Sequence, residues 1–205
     1  MAPVVETHTL GPTQTNCYVV RADDEAEAAV AVDPGYEGVR PTHAVAAILV
    51  THCHWDHLGG IAELAGATGA PVYMPDREAD VLENPEAFYP GQGIRGYTPD
   101  VRLRGDETFE AAGLAFKTIQ VPGHSPGHVA YSTDGALFSG DVLFAGSVGR
   151  TDLPFGDWDT LVDSIRTLFD RFPPETVVFP GHGPPTTLGA ERDSNPFLAD
   201  LRAAL

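Results

Sequence analysis

The chain has 205 residues, 42 % of them apolar, and carries a formal net charge of -17. A chain of this length buries most of its surface in one core, so we expect a single domain over residues 1–205. The acidic charge is spread along the sequence, which argues against nucleic acid or a membrane as a partner. We find no signal segment and no run of eighteen apolar residues, so we expect a cytoplasmic protein.

Short apolar runs bounded by turn residues predict strands in the first half of the chain. They cover Val4–Leu10, Asn16–Val20, Ala28–Asp33, Ala46–Val50 and Val72–Met74. Helical spacing of apolar residues predicts helices over Gly59–Ala67 and Arg77–Leu82. Residues 84–100 are rich in Pro, Gly and aromatic residues and predict a long loop, which is usually functional or mobile. Its Tyr89 and Tyr97 are candidates for substrate contact, with packing at the rim of a pocket as the alternative.

The second half repeats this pattern of strands followed by a helix. Its predicted strands are Leu114–Val121, Val129–Thr133, Ala136–Ser139 and Thr176–Phe179. An apolar stripe predicts a helix over Trp158–Phe172, and Asp157 can accept hydrogen bonds from its first-turn amides. Strands followed by helices, occurring twice, indicate two sheets flanked by helices.

The densest group of candidate metal ligands follows the predicted strand Ala46–Val50. Residues 51–57 read THCHWDH and contain four such ligands, His52, His54, Asp56 and His57. Alternate side chains of an extended segment share a face, so the first two histidines can bind one ion. The turn that follows redirects the other two ligands toward a second ion. The alternative, four solvent-exposed polar groups, explains such a dense cluster less well, because unpaired polar groups at a strand end are costly to desolvate.

Three later segments repeat the order of strand, glycine and ligand. They are VPGH at 121–124, FSGD at 138–141 and FPGH at 179–182, which end on His124, Asp141 and His182. Each glycine lets the backbone turn sharply beside a crowded site. Imidazole and carboxylate donors suit zinc, iron and manganese.

Together these motifs resemble the metallo-β-lactamase-fold superfamily, whose signature H-x-H-x-D-H is met by residues 52–57. The resemblance implies an α+β fold, a four-layer αββα sandwich with metals at one edge. The segments PGHSPGH at 122–128, SGDVLFAGSVGRTDLPFGD at 139–157 and ERDSNPFL at 191–198 are similar to the short glyoxalase II-like group. This group is related to hydroxyacylglutathione hydrolase, and we expect no counterpart of the C-terminal helical domain of the full-length enzymes. Only a final helix near Phe197–Leu205 is expected in its place.

The resemblance also implies a ligand set for two divalent ions, with zinc preferred and iron or manganese as alternatives. The first ion would be bound by His52, His54 and His124. The second would be bound by Asp56, His57 and His182. Asp141 would bridge the two ions, and His128 would support a ligand loop by hydrogen bonding.

The implied activity is that of a metal-dependent thioesterase, acting on a small-molecule substrate such as S-lactoylglutathione. As a hypothesis, a hydroxide between the ions attacks the thioester carbonyl while a metal stabilises the developing oxyanion. Asp56 and Asp141 are the catalytic candidates, the first orienting the hydroxide and the second maintaining the bridge. Arg150 stands where the full-length enzymes carry a lysine that contacts the thiol carrier, so it is a candidate for binding a substrate carboxylate. A surface ion pair is its alternative role.

Three other functions stay open at this point. A related branch of the superfamily, the persulfide dioxygenases, keeps one iron on the positions of His52, His124 and Asp141. A lactonase or another esterase can use the same site, because function resides in the pocket rather than in the fold. A metal-binding protein without turnover is the non-enzymatic alternative. The sequence leaves the oligomeric state open between monomer and dimer.

Overall fold

The first half of the chain forms a six-stranded sheet whose strands lie side by side in chain order. The computed structural model describes residues 2–199. The strands of this sheet are β1 (Val4–Leu10), β2 (Thr15–Arg21), β3 (Ala28–Val32), β4 (Ala44–Leu49), β5 (Val72–Pro75) and β6 (Val101–Leu103). The strands β1 to β3 are antiparallel, and β3 to β6 are parallel. The helices of this half are α1 (Trp55–Leu58), α2 (Ile61–Thr68), α3 (Ala79–Glu83) and α4 (Pro85–Phe88), and a 3₁₀ turn covers Asp76–Glu78.

The second half forms another six-stranded sheet, in the order β7-β8-β9-β10-β13-β14. In chain order its elements are β7 (Thr108–Ala111), β8 (Leu114–Gln120), β9 (Val129–Thr133), β10 (Ala136–Gly140), the hairpin β11 (Leu143–Phe144) and β12 (Ser147–Val148), α5 (Trp158–Arg171), β13 (Val177–Pro180), β14 (Thr186–Thr187) and α6 (Leu188–Ser194). The helix α5 connects β10 to β13, and these two strands are parallel. Asp157 caps α5 by accepting a hydrogen bond from Thr160 N–H.

Three apolar clusters show how the layers stack. The middle cluster lies between the sheets and contains Tyr18, Phe116 and Phe138. A second cluster packs helix residues such as Ile61 against the outer face of the first sheet. The third packs Leu161, Ile165, Leu168 and their neighbours against the second sheet. Both faces of each sheet are therefore covered, which gives the order helix, sheet, sheet, helix and confirms the predicted αββα sandwich.

The central strands read as continuous apolar runs because both of their faces are buried. In β4 and the residue after it, Ala47 and Leu49 face the other sheet, whereas Ile48 and Val50 face the helices. Aromatic contacts join the sheets directly; for example, the ring of Tyr18 lies 5.5 Å from that of Phe138. No helix within residues 2–199 is long and apolar enough to span a membrane.

The sequence-based elements agree with the structure where the apolar pattern is strong. The helix predicted to end at Phe172 ends at Arg171, and the loop predicted over 84–100 contains the one-turn helix α4. The short strands β6 and β7 were not predicted, because three or four residues interrupted by charges give little periodic signal. Of the final helix predicted near Phe197–Leu205, residues 200–205 lie outside the described residues, and a 3₁₀ turn covers Pro196–Leu198.

Candidate metal centre

The candidate ligands lie on loops that follow strands of both sheets. His52 and His54 follow β4, and Asp56 and His57 lie in α1, for which His54 is the N-cap with an extended backbone. The remaining three follow, or lie close after, strands of the second sheet. The carboxyl ends of parallel strands share one edge of a sheet, and each sheet contributes such a pair, β3 with β4 and β10 with β13. The ligand loops therefore meet at one edge of the sandwich.

The structure brings all seven candidate ligands together. Two groups of three have their donor atoms within 4.8 Å of one another, namely His52, His54 and His124, and Asp56, His57 and His182. These are the groupings that the family resemblance implies. A third group combines His52, His57 and Asp141.

Asp141 lies between the two groups. Its Oδ1 is 3.5 Å from His57 Nε2, and its Oδ2 is 3.5 Å from His124 Nε2 and 3.4 Å from His182 Nε2. One carboxylate thus faces donors of both groups, as a bridging ligand would. Gly181 makes room for this arrangement, because a Cβ at that position would overlap Asp141 Oδ1.

In three of the histidines, the ring nitrogen that faces away from the centre contacts a neighbouring polar atom. His52 Nδ1 lies 3.0 Å from Thr51 Oγ1, His57 Nδ1 lies 3.1 Å from Asp33 Oδ2, and His124 Nδ1 lies 2.8 Å from the carbonyl oxygen of Arg150. Metal-binding histidines usually have such an outer partner, which sets the tautomer and leaves the other nitrogen for the ion. In each of these rings, Nε2 is directed into the centre.

Several buried polar atoms of the centre lack a hydrogen-bond partner among the described residues. They are His52 Nε2, His57 Nε2 and Asp141 Oδ1. Buried polar groups are nearly always paired, so atoms of this kind that converge on one point indicate a ligand-binding site. Neutral imidazole and carboxylate are the donors that zinc, iron and manganese accept. The residues present therefore fit a pair of divalent ions.

The side chains of the centre influence one another's pKa strongly. Burial lowers the pKa of His54 to about 4, and the neighbouring His124 adds to this effect. Burial acts in the same direction on His182, but hydrogen bonds to Asp141 and Asp56 outweigh it and raise the pKa to about 10. Burial would raise the pKa of Asp56, but His182 and His57 outweigh it and lower the pKa to about 2. Burial would also raise the pKa of Asp141, but His57 and His182 outweigh it and hold the pKa well below its ordinary value. Both carboxylates are thus ionised and attract cations.

His128 is buried beside the candidate ligands and lies in none of the three donor groups. Its Nε2 accepts a hydrogen bond from the backbone N–H of Asp141 at 3.1 Å, and its ring stacks on that of His52 at 4.6 Å. His128 therefore hydrogen-bonds to the loop that carries Asp141, and the role considered for it from the sequence was to support a ligand loop in this way.

The centre opens into a cleft of about 1180 Å³. Its walls are largely apolar and include Trp55, Val81, Phe88, Tyr89, Phe144 and Phe155.

Arg150 is exposed at the cleft, where its Nε and Nη2 donate to the two carboxylate oxygens of Asp152 at 2.7 and 2.8 Å. Tyr89 is half-buried and lines the cleft. Tyr97 is not among the residues that line the cleft, which does not favour substrate contact over packing, the two roles considered for it from the sequence. Its hydroxyl donates to Asp100.

Thr15 and Asp33 contact candidate ligands and were not found from the sequence. Thr15 donates from Oγ1 to Asp56 Oδ2 at 2.9 Å. Asp33 is buried and accepts from Thr51 N–H at 2.8 Å and Thr51 Oγ1 at 2.7 Å, besides facing His57. The one available signal for Asp33 was a carboxylate at a strand end, the position that the ligands occupy. Thr15 had no comparable signal.

This fold, with a seven-donor centre at the edge of the sandwich, is shared with one large group of metal-dependent enzymes. The sequence model of the metallo-beta-lactamase superfamily matches residues 10–182. The chain belongs to this superfamily and is of its metal-dependent hydrolase type. The resemblance predicted from the sequence is thereby confirmed.

Individual relatives are similar over almost their whole length. Hydroxyacylglutathione hydrolase GloC of Haemophilus influenzae is 35 % identical, over 90 % of this chain and 93 % of its own. The crystal structure of BLEG-1 B3 metallo-beta-lactamase has a TM-score of 0.86 at 39 % identity and covers 96 % of this chain and 100 % of its own. The crystal structure of TTHA1623 in a di-iron-bound form has a TM-score of 0.77 at 40 % identity and covers 95 % of this chain and 100 % of its own.

Proposed function

We propose that the protein is a thioesterase of the glyoxalase II type, which cleaves S-2-hydroxyacyl thiol conjugates such as S-lactoylglutathione. The observation that carries the proposal is the position of Asp141 between two groups of three donors at the base of a cleft. The similarity to GloC over both chains supports this substrate class.

The reaction adds water to the thioester carbonyl, so a C–O bond forms, the C–S bond breaks, and an acid and a thiol leave. The two donor groups would hold two divalent ions, which when bound would supply Lewis acidity and lower the pKa of water toward neutrality. Asp56 orients the attacking water through a carboxylate that Thr15 fixes. Asp141 keeps the two donor groups at a constant separation. Water is the nucleophile, so no side chain forms a bond to the substrate.

We propose that Arg150 binds a carboxylate of the thiol carrier. Its present partner Asp152 is itself an exposed carboxylate, and exposed ion pairs contribute little to stability, so a substrate carboxylate can replace it. The variant Arg150→Met should raise KM for S-lactoylglutathione and leave kcat unchanged. Arg95→Met is the matched control, because Arg95 forms an exposed pair with Glu37 away from the cleft lining. An unchanged KM in Arg150→Met would contradict this role.

We further propose that zinc is the resident metal, two ions per chain. Elemental mass spectrometry of the purified protein, combined with thioester hydrolysis, tests the metal and the reaction together. Two zinc ions with cleavage of S-lactoylglutathione support the proposal. One iron per chain, with oxygen uptake on glutathione persulfide and no thioester cleavage, would replace it with the dioxygenase reaction. Cleavage of a lactone or simple ester without thioester cleavage would replace it with an esterase.

Hydrolysis of β-lactams is a second candidate function, favoured by the 39 % identity to BLEG-1 B3 metallo-beta-lactamase. Both reactions begin with attack of water on an acyl carbon, so one centre can serve either. A chromogenic cephalosporin assayed beside S-lactoylglutathione separates them. A higher kcat/KM for the cephalosporin would decide for the β-lactamase.

A further inference from the structure

Glu78 is a buried carboxylate that the proposed chemistry does not use. It ends the 3₁₀ turn after β5 and is 1 % exposed. Its Oε2 accepts from Cys53 N–H at 2.6 Å, and its Oε1 accepts from Gly127 N–H at 2.6 Å. Burying a charge is unfavourable unless hydrogen bonds compensate, and bonds to a carboxylate are among the stronger ones in proteins. One side chain therefore joins two loops through their backbones.

These two loops carry all the donors of one group. Cys53 lies between His52 and His54, whereas Gly127 lies three residues after His124. His54 Nδ1 and His124 Nε2 approach to 2.8 Å, so the two loops have to be held at a defined separation for both nitrogens to face one ion. Glu78 bonds to the backbones of these same two loops, at residues close in sequence to the donors.

Gly127 provides independent support for the importance of this approach. A Cβ at position 127 would lie 2.8 Å from Glu78 Cγ and 2.9 Å from Arg77 Cβ, closer than such atoms normally pack. The φ of Gly127 is not in the left-handed region, so backbone conformation does not require the glycine. The glycine is required instead by the space that the Glu78 side chain occupies.

We propose that Glu78 is a positioning residue for the group of His52, His54 and His124. It sets the separation of the two loops without touching a donor atom. The inference rests on the metal-binding part of the proposed function.

The other donor group has different supports. Thr15 bonds to Asp56, and Asp33 faces His57. Loss of Glu78 should therefore weaken one metal site and spare the other. A role in fold stability alone would not discriminate between the two sites.

The test is a titration of the metal-free protein with Co²⁺, whose visible absorption reports the coordination of each site. In Glu78→Gln the side chain keeps its shape but has one acceptor oxygen for two N–H groups. One site should lose about 10–100-fold in affinity, as other supporting residues of metal ligands do, while the other stays within about threefold. The absorption bands of the weakened site should change with it.

Glu191→Gln is the matched control. Glu191 is also buried, and its Oε2 accepts from Gly146 N–H at 2.9 Å and from Asn195 Nδ2 at 2.8 Å. It contacts neither of the two loops that Glu78 joins. Glu191→Gln makes the same chemical change in a buried carboxylate, but the Co²⁺ affinities of both sites should stay normal.

Two outcomes would overturn the inference while the proposed function survives. They are two normal Co²⁺ sites in Glu78→Gln, or an equal loss at both sites. Absence of Co²⁺ binding by the wild-type protein would overturn the proposed function as well. If Glu78→Gln does not fold, Gly127→Ala pushes the loop away from Glu78 and should cause the same loss at one site. Normal sites in Gly127→Ala would then refute the inference.

Discussion

Replacing Asp33 with asparagine should destabilise the protein and weaken metal binding by His57. The carboxylate of Asp33 is buried and has three neighbours that can donate, Thr51 N–H, Thr51 Oγ1 and His57 Nδ1. Asparagine has the same size but only one acceptor oxygen, and its NH₂ group can only donate. At least one buried donor then loses its acceptor, which costs about 1–3 kcal/mol. Asparagine tolerates the φ of 50° at this position, so backbone strain adds nothing.

Urea unfolding of the metal-free protein measures the first effect, and the free energy of unfolding should fall by about 2 kcal/mol. Zinc titration against a chromophoric chelator measures the second, and the site of His57, which Asp33 contacts directly, should lose about 10–100-fold in affinity. Asp134→Asn makes the same change at an exposed turn residue with a φ of 41°. Surface changes of that kind stay within about 0.5 kcal/mol. If the free energy of unfolding of Asp33→Asn changed by no more than about 0.5 kcal/mol and both zinc affinities were intact, the reasoning would be refuted.

Three further predictions follow from the centre. Asp141→Asn should remove the shared carboxylate and reduce turnover at least about 100-fold. The metal content should fall below two ions per chain. An unchanged kcat would contradict the bridging role. Chelation should lower the unfolding temperature, and zinc at about 100 times its Kd should restore about 2.7 kcal/mol of stability; equal unfolding temperatures with and without zinc would count against metal binding. In the metal-free protein the pKa of His182 is about 10, above the ordinary 6.5. Its protonated ring therefore stabilises the fold fully below pH 6.5, and this contribution disappears as pH rises through 10. His182→Asn should flatten the alkaline loss of stability in urea unfolding, and a parallel loss in both proteins would contradict the prediction.

The candidate ligands could be predicted because their signal is local. Four donors occur within residues 52–57, and three later donors each follow a strand and a glycine. Side-chain alternation and the turn after Trp55 are properties of short segments, and they separate His52 and His54 from Asp56 and His57. The family resemblance, not local geometry, implied which group His124 and His182 join. The sandwich itself followed from the alternation of strand runs and helices together with the family resemblance.

The supports of the centre could not be predicted in the same way, because they depend on contacts between distant segments. Thr15 and Asp56 are 41 residues apart, and Glu78 and Gly127 are 49 apart. No local pattern marks such pairs. Tyr97 was misplaced for the same reason, since the path of residues 84–100 over the surface depends on packing against α3 and on the bond to Asp100.

The distribution of the donors over both sheets also affects the order of folding events. His54 and His124, which share a donor group, are 70 residues apart, and each is supplied by a different sheet. Contacts between such distant residues are slow to form, because the loop between them has to be closed first. A chain that has formed only its first sheet lacks His124, Asp141 and His182 and has no complete two-ion site. Uptake of two ions during refolding therefore reports the docking of the sheets, and its rate measures the completion of the sandwich.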